Sequence, residues 1–283
     1  VTDLTLNNFI RMRPTDKNFL CLLGTSYKVH VYEYLKDLQA AIPDYKVLYF
    51  LDELPESTIY SDGSIEIVSI SKSLCAVNGY KGSVSGCSDR PCSRDMFFYF
   101  FIYSGAVFNN VWCIEEDVFI PSKDTILSVD INYPGTDLLL PPKAYSTSDI
   151  VYNEKFLTSM GIPESEYECR SVAVMRLNFK IFSIIEQLAR TCLSLFPAEI
   201  MLPTITNTRD IGCVYPEQFE YVLRSSEESK IAENDFHPYS ELNFYHPMKS
   251  YTQHQAIREY NNWHISKSQE LNSTEYEDEF DDL

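Results

Sequence analysis

Positive charge is what this chain has least of. Its 23 Lys and Arg stand against 41 Asp and Glu, a formal net charge of −18. So acidic a chain repels phosphate backbones, which argues against nucleic acid as a main partner. An anionic substrate would need a locally basic or metal-filled site. Long apolar runs are also missing. The longest near-apolar stretch, residues 96–107, falls short of the ~18 residues needed to span a bilayer. The N-terminal stretch has no charged-then-apolar signal segment, so the expectation is a cytoplasmic or otherwise soluble chain without a membrane span. No two of the eight cysteines form a CxxC pair, which argues against a zinc ribbon. Cys87 and Cys92 share a polar loop and are spaced to bridge. Cys21, Cys75, Cys113, Cys169 and Cys192 lie in apolar runs and read as buried free thiols. There is no internal repeat.

Aromatic side chains are plentiful, with 20 Tyr and 17 Phe, and 45% of residues are hydrophobic. That suffices for one large packed domain. Residues 270–283 hold seven acidic residues and no Lys or Arg, so the tail from about 268 to 283 is expected to be disordered.

The hydrophobic pattern sets out an α/β order. Residues 19–23 (FLCLL) read as a buried strand that ends in Gly24-Thr25-Ser26. Helical spacing follows over 27–41, and Pro43 ends it. Residues 46–51 (KVLYFL) are a second buried strand, closed by Asp52. This β-loop-α-β opening is of the doubly wound type, in which ligands sit beyond the carboxyl ends of parallel strands. Further strands are read at 65–70, 111–114, 137–140 and 169–175, with helices at 95–108 and 179–195.

The fourth strand runs directly into Glu115-Glu116-Asp117. Crowded carboxylates repel one another unless a cation neutralises them. Oxygen ligands of this kind suit Mg²⁺ or Mn²⁺, which commonly bridge carboxylates to phosphates. The plain alternative is a solvated turn after a strand.

The run Val111-Trp112-Cys113-Ile114-Glu115-Glu116-Asp117-Val118-Phe119 resembles the W-x-I-E-D-D-V segment of GT-A glycosyltransferases. It looks like a variant of their DxD motif, with Glu in the first two acidic places and ligand arms longer there by one methylene. The likeness spans roughly residues 18–258, by order of elements more than by identity. It implies a Rossmann-like, mixed but mostly parallel sheet flanked by helices. It implies a single catalytic domain over 1–267, with a nucleotide-binding half at about 18–140 and an acceptor half at about 141–267.

The resemblance also implies roles. Gly24 and Thr25 would contact the nucleotide, and Asp52 would sit beside its base or ribose. Arg94 would balance the diphosphate, while Asp95 would be either a site residue or a helix-start acid. Glu115 or Glu116 would face ribose or metal-bound water. Asp117 and His246 would hold Mn²⁺ or Mg²⁺, and Lys249 would meet the diphosphate. Glu199 would be the general base of an inverting enzyme, with Glu217 and Glu220 as substitutes. Tyr145, Tyr152, Tyr167, Tyr215, Tyr221 and Trp263 offer flat faces for an acceptor sugar.

The expected activity is metal-dependent transfer of a sugar from a UDP- or GDP-sugar to a glycan or glycoconjugate. Two other readings stand beside it: a sugar-nucleotide nucleotidyltransferase, and an inactive GT-A-like glycan-binding domain. Against the first, no Gly-rich run with a following Arg and Lys lies near the first strand.

Overall fold

The structure is a computed structural model that describes residues 18–53, 57–61, 63–85, 90–146, 163, 166–223 and 242–248. The chain opens with β1 (Asn18–Gly24), α1 (Val29–Ala41), β2 (Tyr45–Leu51), β3 (Thr58–Ser61) and β4 (Glu66–Ser69). Helices α2 (Lys72–Val77) and α3 (Ser93–Tyr103) lead to β5 (Asn110–Glu115) and α4 (Lys123–Asn132). Then come β6 (Leu138–Leu139), β7 (Ala144–Tyr145), β8 (Cys169–Arg170), β9 (Val174–Leu177), α5 (Phe179–Cys192), α6 (Ala198–Thr208) and β10 (Cys213–Val214).

Among the described residues, eight strands form one sheet in the order β10-β6-β9-β5-β1-β2-β4-β3. The pairs β1–β2, β1–β5, β2–β4 and β6–β10 are parallel, and β3–β4, β5–β9 and β6–β9 are antiparallel. This is the mixed, mostly parallel sheet flanked by helices that the GT-A resemblance implies.

Alternation along the central strands explains the two layers of helices. Successive side chains of a strand point to opposite faces. In β1, Phe19, Cys21 and Leu23 enter one core, and Leu20 and Leu22 enter the other. In β5, Val111 and Cys113 join the first, and Trp112 and Ile114 the second. Helices α3, α5 and α6 cover the first face through residues such as Phe97, Ile181 and Met201. Helices α1 and α4 cover the second through Leu35, Leu38, Ile126 and Val129. The second face also holds a buried ion pair, Arg176 to Asp130 at 2.5 Å, and Trp112 Nε1 donates to the same carboxylate at 3.2 Å.

The strand order positions a site. From β1 the chain steps outward to β2 and β4, then returns to place β5 on the other side of β1. Connections leave in opposite directions from that point, and the crevice beyond the carboxyl ends of β1 and β5 stays open. Glu115, Glu116 and Asp117 emerge into it.

Several elements differ from the sequence pattern. The expected strand at 169–175 divides: β8 pairs with β7 in a separate two-stranded sheet, and β9 joins the main one. The helix expected to reach 108 ends at Tyr103, where Gly105, at φ 69°, closes it in a conformation that favours glycine. Helix α6 carries Pro203 in its interior, which hides it from a pattern reading. Helix α4 buries few residues, so its apolar stripe is faint. Among the described residues no helix is long and apolar enough to cross a membrane. The seven described cysteines, Cys92 included, are free thiols, and Cys87 lies outside the described residues.

Candidate functional site

Register with its neighbours fixes where β5 releases its acidic end. Glu115 N–H donates to the Ala173 carbonyl at 2.8 Å, and Glu116 N–H to the Leu23 carbonyl at 2.9 Å. A turn follows, with Val118 N–H donating to the Glu115 carbonyl at 3.0 Å. Beyond it the three carboxylates part. Glu115 and Asp117 converge on His246, while Glu116 turns back toward β1 and β2.

His246 arrives from far along the chain because its segment is clamped on both sides. Phe119 N–H donates to the Tyr245 carbonyl at 2.9 Å, and Tyr245 N–H returns a bond to the Phe119 carbonyl at 3.1 Å. Met248 N–H donates to the Asp117 carbonyl at 2.7 Å. On the far side His246 N–H donates to the Tyr221 carbonyl at 3.1 Å. Phe244 stacks on buried Trp112, with centroids 5.4 Å apart, and seats the segment on the sheet.

The imidazole is buried and its two nitrogens have different work. Nδ1 bonds to the Leu223 carbonyl, which makes Nδ1 the N–H donor. Nε2 is then an acceptor, and it has no hydrogen-bond partner of its own. It lies 3.3 Å from Asp117 Oδ1 and 3.6 Å from Glu115 Oε2. One ligand atom from each of Glu115, Asp117 and His246 falls within 4.8 Å of the others. A buried nitrogen lone pair facing two carboxylates fits a divalent cation. In the absence of one, a proton serves. Burial alone pulls the His246 imidazole down, but the Asp117 and Glu115 carboxylates and the Leu223 carbonyl hold it above its usual value.

Arg94, in the first turn of α3, is buried behind this cluster. Its guanidinium pairs with Glu115, lies 3.7 Å from Glu199 and reaches the Ser83 carbonyl at 3.5 Å. Burial works against its charge, but Glu115 and Glu199 outweigh it and raise its pKa above the usual arginine value. Its charge is therefore engaged within the protein. Asp95, one residue on, is fully buried and is the helix-start acid. It accepts from Cys92 N–H at 3.0 Å and from Ser83 N–H at 3.1 Å, and ties the preceding loop to α3. Burial raises its carboxyl above the usual range, against the pull of those donors.

A cleft of about 440 Å³ opens over these residues, within the size range of small-molecule sites. Gly24, Thr25, Lys28, Asp52, Arg94, Glu115, Glu116 and Asp117 all line it. Glu116 accepts from Lys28 Nζ at 2.8 Å, Thr25 Oγ1 at 3.3 Å and Tyr49 OH at 3.1 Å. Gly24 is required there by close approach. A Cβ on it would lie 2.7 Å from Glu116 Oε2 and 2.8 Å from the Tyr49 ring. Asp52 N–H donates to the Gly24 carbonyl at 3.3 Å, and its buried Oδ1 has no hydrogen-bond partner. Burial pushes its carboxyl up to about 6; Lys72 and the Ser93 N–H oppose the rise, and Asp95 and Glu116 add to it.

The structure thus brings together Gly24, Thr25, Asp52, Arg94, Glu115, Glu116, Asp117 and His246. Glu199 stands apart from the cleft lining, in the first turn of α6 on the far side of Arg94. Glu217 and Glu220 are exposed at a 3-10 turn. Tyr145, Tyr167 and Tyr215 are part-buried against the first core, and Arg170 covers the Tyr215 ring at 3.8 Å. Tyr221 stacks on Tyr245. Lys249, Tyr152 and Trp263 lie outside the described residues, as does 268–283. Sequence reasoning missed Lys28 and His30, which also line the cleft. The available signal was a basic residue between the loop after the first strand and the first helix.

No family model matches the chain, and no curated protein matches it in sequence. Solved structures with partial likeness include the galactosyltransferase LgtC in complex with donor and acceptor sugar analogs. It is 14% identical, with a TM-score of 0.40 over 70% of this chain and 72% of that one. Mouse xyloside xylosyltransferase 1 is 11% identical, with a TM-score of 0.40 over 82% and 97%. The 2-C-methyl-D-erythritol 4-phosphate cytidylyltransferase of Thermus thermophilus is 11% identical, with a TM-score of 0.39 over 75% and 95%. Likeness at this level says nothing about substrate, metal or reaction. The fold stands on strand order, and the site on its own geometry.

Proposed function

We propose that the chain is a metal-dependent glycosyltransferase of the GT-A class, acting on a UDP- or GDP-sugar donor and a glycan or glycoconjugate acceptor. One observation carries this: Glu115, Asp117 and the lone pair of His246 Nε2 converge at the crevice beside β1 and β5, where the strand order reverses. A cation-ready cluster beside a nucleotide-sized cleft suits a diphosphate-linked donor.

Glu115, Asp117 and His246 would hold Mn²⁺ or Mg²⁺. When bound, such an ion supplies positive charge that stabilises a departing diphosphate. The protein's own groups do the rest. Arg94 holds the Glu115 side chain in place through their ion pair. Gly24 and Thr25 form the wall against which the nucleoside rests, and Asp52 accepts a hydrogen bond from ribose or base. Glu199 is the proposed base of an inverting transfer, for an acceptor that would have to reach it from outside the cleft lining, on the far side of Arg94. In this reading about 18–140 would be the donor half and about 141–267 the acceptor half of one catalytic domain, with strands β9 and β10 of the second half joining the same sheet.

The test is hydrolysis of a panel of UDP- and GDP-sugars, with and without Mn²⁺, repeated with Asp117→Ala. Slow Mn²⁺-dependent release of free nucleotide, lost in the variant, is the expected result. Neither hydrolysis nor binding across the whole panel would sink the reading.

A further inference from the structure

The acidic triplet is not one functional unit. Glu115 and Asp117 face His246, whereas Glu116 points away and gathers donors from the loop between β1 and α1. Those donors are Thr25 N–H at 3.4 Å, Thr25 Oγ1 at 3.3 Å and Lys28 Nζ at 2.8 Å. Tyr49 OH adds a fourth at 3.1 Å from below. Gly24, with no Cβ, leaves the room that Glu116 occupies. Glu116 therefore sets the position of the loop and of the Lys28 ammonium.

The charges lining the cleft show what that ammonium is for. Asp52, Glu115, Glu116 and Asp117 bring four carboxylates, and Lys28 and Arg94 bring the permanent cations. A divalent ion would roughly balance this set, and a diphosphate would then add negative charge. Arg94 is of little use to it, being 2% exposed and engaged by Glu115 and Glu199. The Lys28 side chain is 40% exposed at the cleft wall. An ammonium has three donors, and the ion pair with Glu116 uses one. The start of α1, where Lys28 is the N-cap, adds the partial positive charge of the helix.

We infer that Lys28 is a phosphate-contacting residue of the donor site, and that Glu116 is the positioning residue that aims it. This rests on the reading of the cleft as a nucleotide-sugar site. It divides the triplet into metal ligands, Glu115 and Asp117, and a holder of the counter-charge, Glu116.

The experiment is calorimetric titration with Mn²⁺ alone, with UDP or GDP in the presence of Mn²⁺, and with the matching nucleoside. It uses the full chain and the variants Lys28→Met, Lys28→Arg, Glu116→Gln and Lys28→Met/Glu116→Gln. Losing one charge-assisted phosphate contact should weaken diphosphate binding by about 10- to 100-fold in Lys28→Met. Nucleoside and Mn²⁺ affinity should stay within about twofold, because neither uses a contact to phosphate. Lys28→Arg should restore most of the loss. Glu116→Gln should also leave Mn²⁺ affinity intact, and should add nothing to the Lys28→Met defect, since the two act as a unit.

If Lys28→Met binds the diphosphate like the parent chain, or loses nucleoside and diphosphate affinity equally, the inference is overturned. Additive effects in the double variant, or loss of Mn²⁺ binding in Glu116→Gln, overturn the division of the triplet. If the parent chain binds neither UDP nor GDP with Mn²⁺, the glycosyltransferase reading itself has failed, which is a different result.

Discussion

Arg94 is where the site and the stability of the fold are most tightly joined. Replacing it with Met keeps the bulk of the side chain and removes the charge. Glu115 and Glu199 then lose the guanidinium that lies between them. Removing one partner of a buried pair costs about 3–5 kcal/mol, because a charge is left uncompensated. The two carboxylates here are 33% and 22% exposed, so water relieves part of the loss. The lower end, about 3 kcal/mol, is the expected penalty. At about 2–4 °C per kcal/mol for a chain of this size, the melting temperature should fall by about 6–12 °C.

A second readout ties this loss to the metal cluster. Without Arg94, Glu115 is a stronger ligand for a cation, so Mn²⁺ should stabilise Arg94→Met more than the parent chain. For the parent, Mn²⁺ at about 100 times its dissociation constant contributes about 2.7 kcal/mol. The assay is thermal unfolding by circular dichroism or calorimetry, with chelator and with Mn²⁺. Arg94→Lys, which keeps a charge without the fork, should fall between the two. A variant that melts within about 2 °C of the parent, or equal stabilisation of both by Mn²⁺, would refute the argument.

Two further outcomes follow from the cleft. Asp52 is raised from its ordinary 3.8 to about 6 in the folded chain. Between those values the folded state holds a proton that the unfolded state releases, so this carboxyl makes stability fall as pH rises through the window. Asp52→Asn cannot ionise, so its stability relative to the parent should grow from pH 4 to pH 7, read from urea midpoints; a constant difference would show that Asp52 is not the buried carboxyl described. Gly24→Ala brings a methyl against Glu116 and Tyr49, which should cost about 1–3 kcal/mol by overpacking. It should weaken nucleotide binding and leave Mn²⁺ binding intact; a variant with parental nucleotide affinity would show that the β1 loop tolerates displacement.

Much of the fold was legible because its signals are local. Apolar runs bounded by Gly24 and Asp52 announce β1 and β2, and the unbroken apolar run at 19–23 already implies burial on both faces. Helices α4 and α6 and strand β3 were not legible. Their patterning is weak, interrupted by Pro203, or dependent on a partner strand. Within the site, the types of residue were readable but their directions were not. Glu115, Glu116 and Asp117 look alike in the chain, and only the turn after β5 sends the middle one toward Thr25 and Lys28. Arg94 and Lys28 are both basic, yet only packing decides that the first is buried by its counter-ions and the second is left at the cleft wall.

By itself, then, the sequence determined an acidic α/β chain with carboxylates at the end of a buried central strand. That much follows from composition and from short unbroken apolar runs, which each segment carries alone. The tertiary structure decided which of those carboxylates meet His246. Their meeting depends on a backbone ladder between residues 117–119 and 245–248. Contacts so far apart in the chain are set by the closing of the whole sheet, and no local pattern records them.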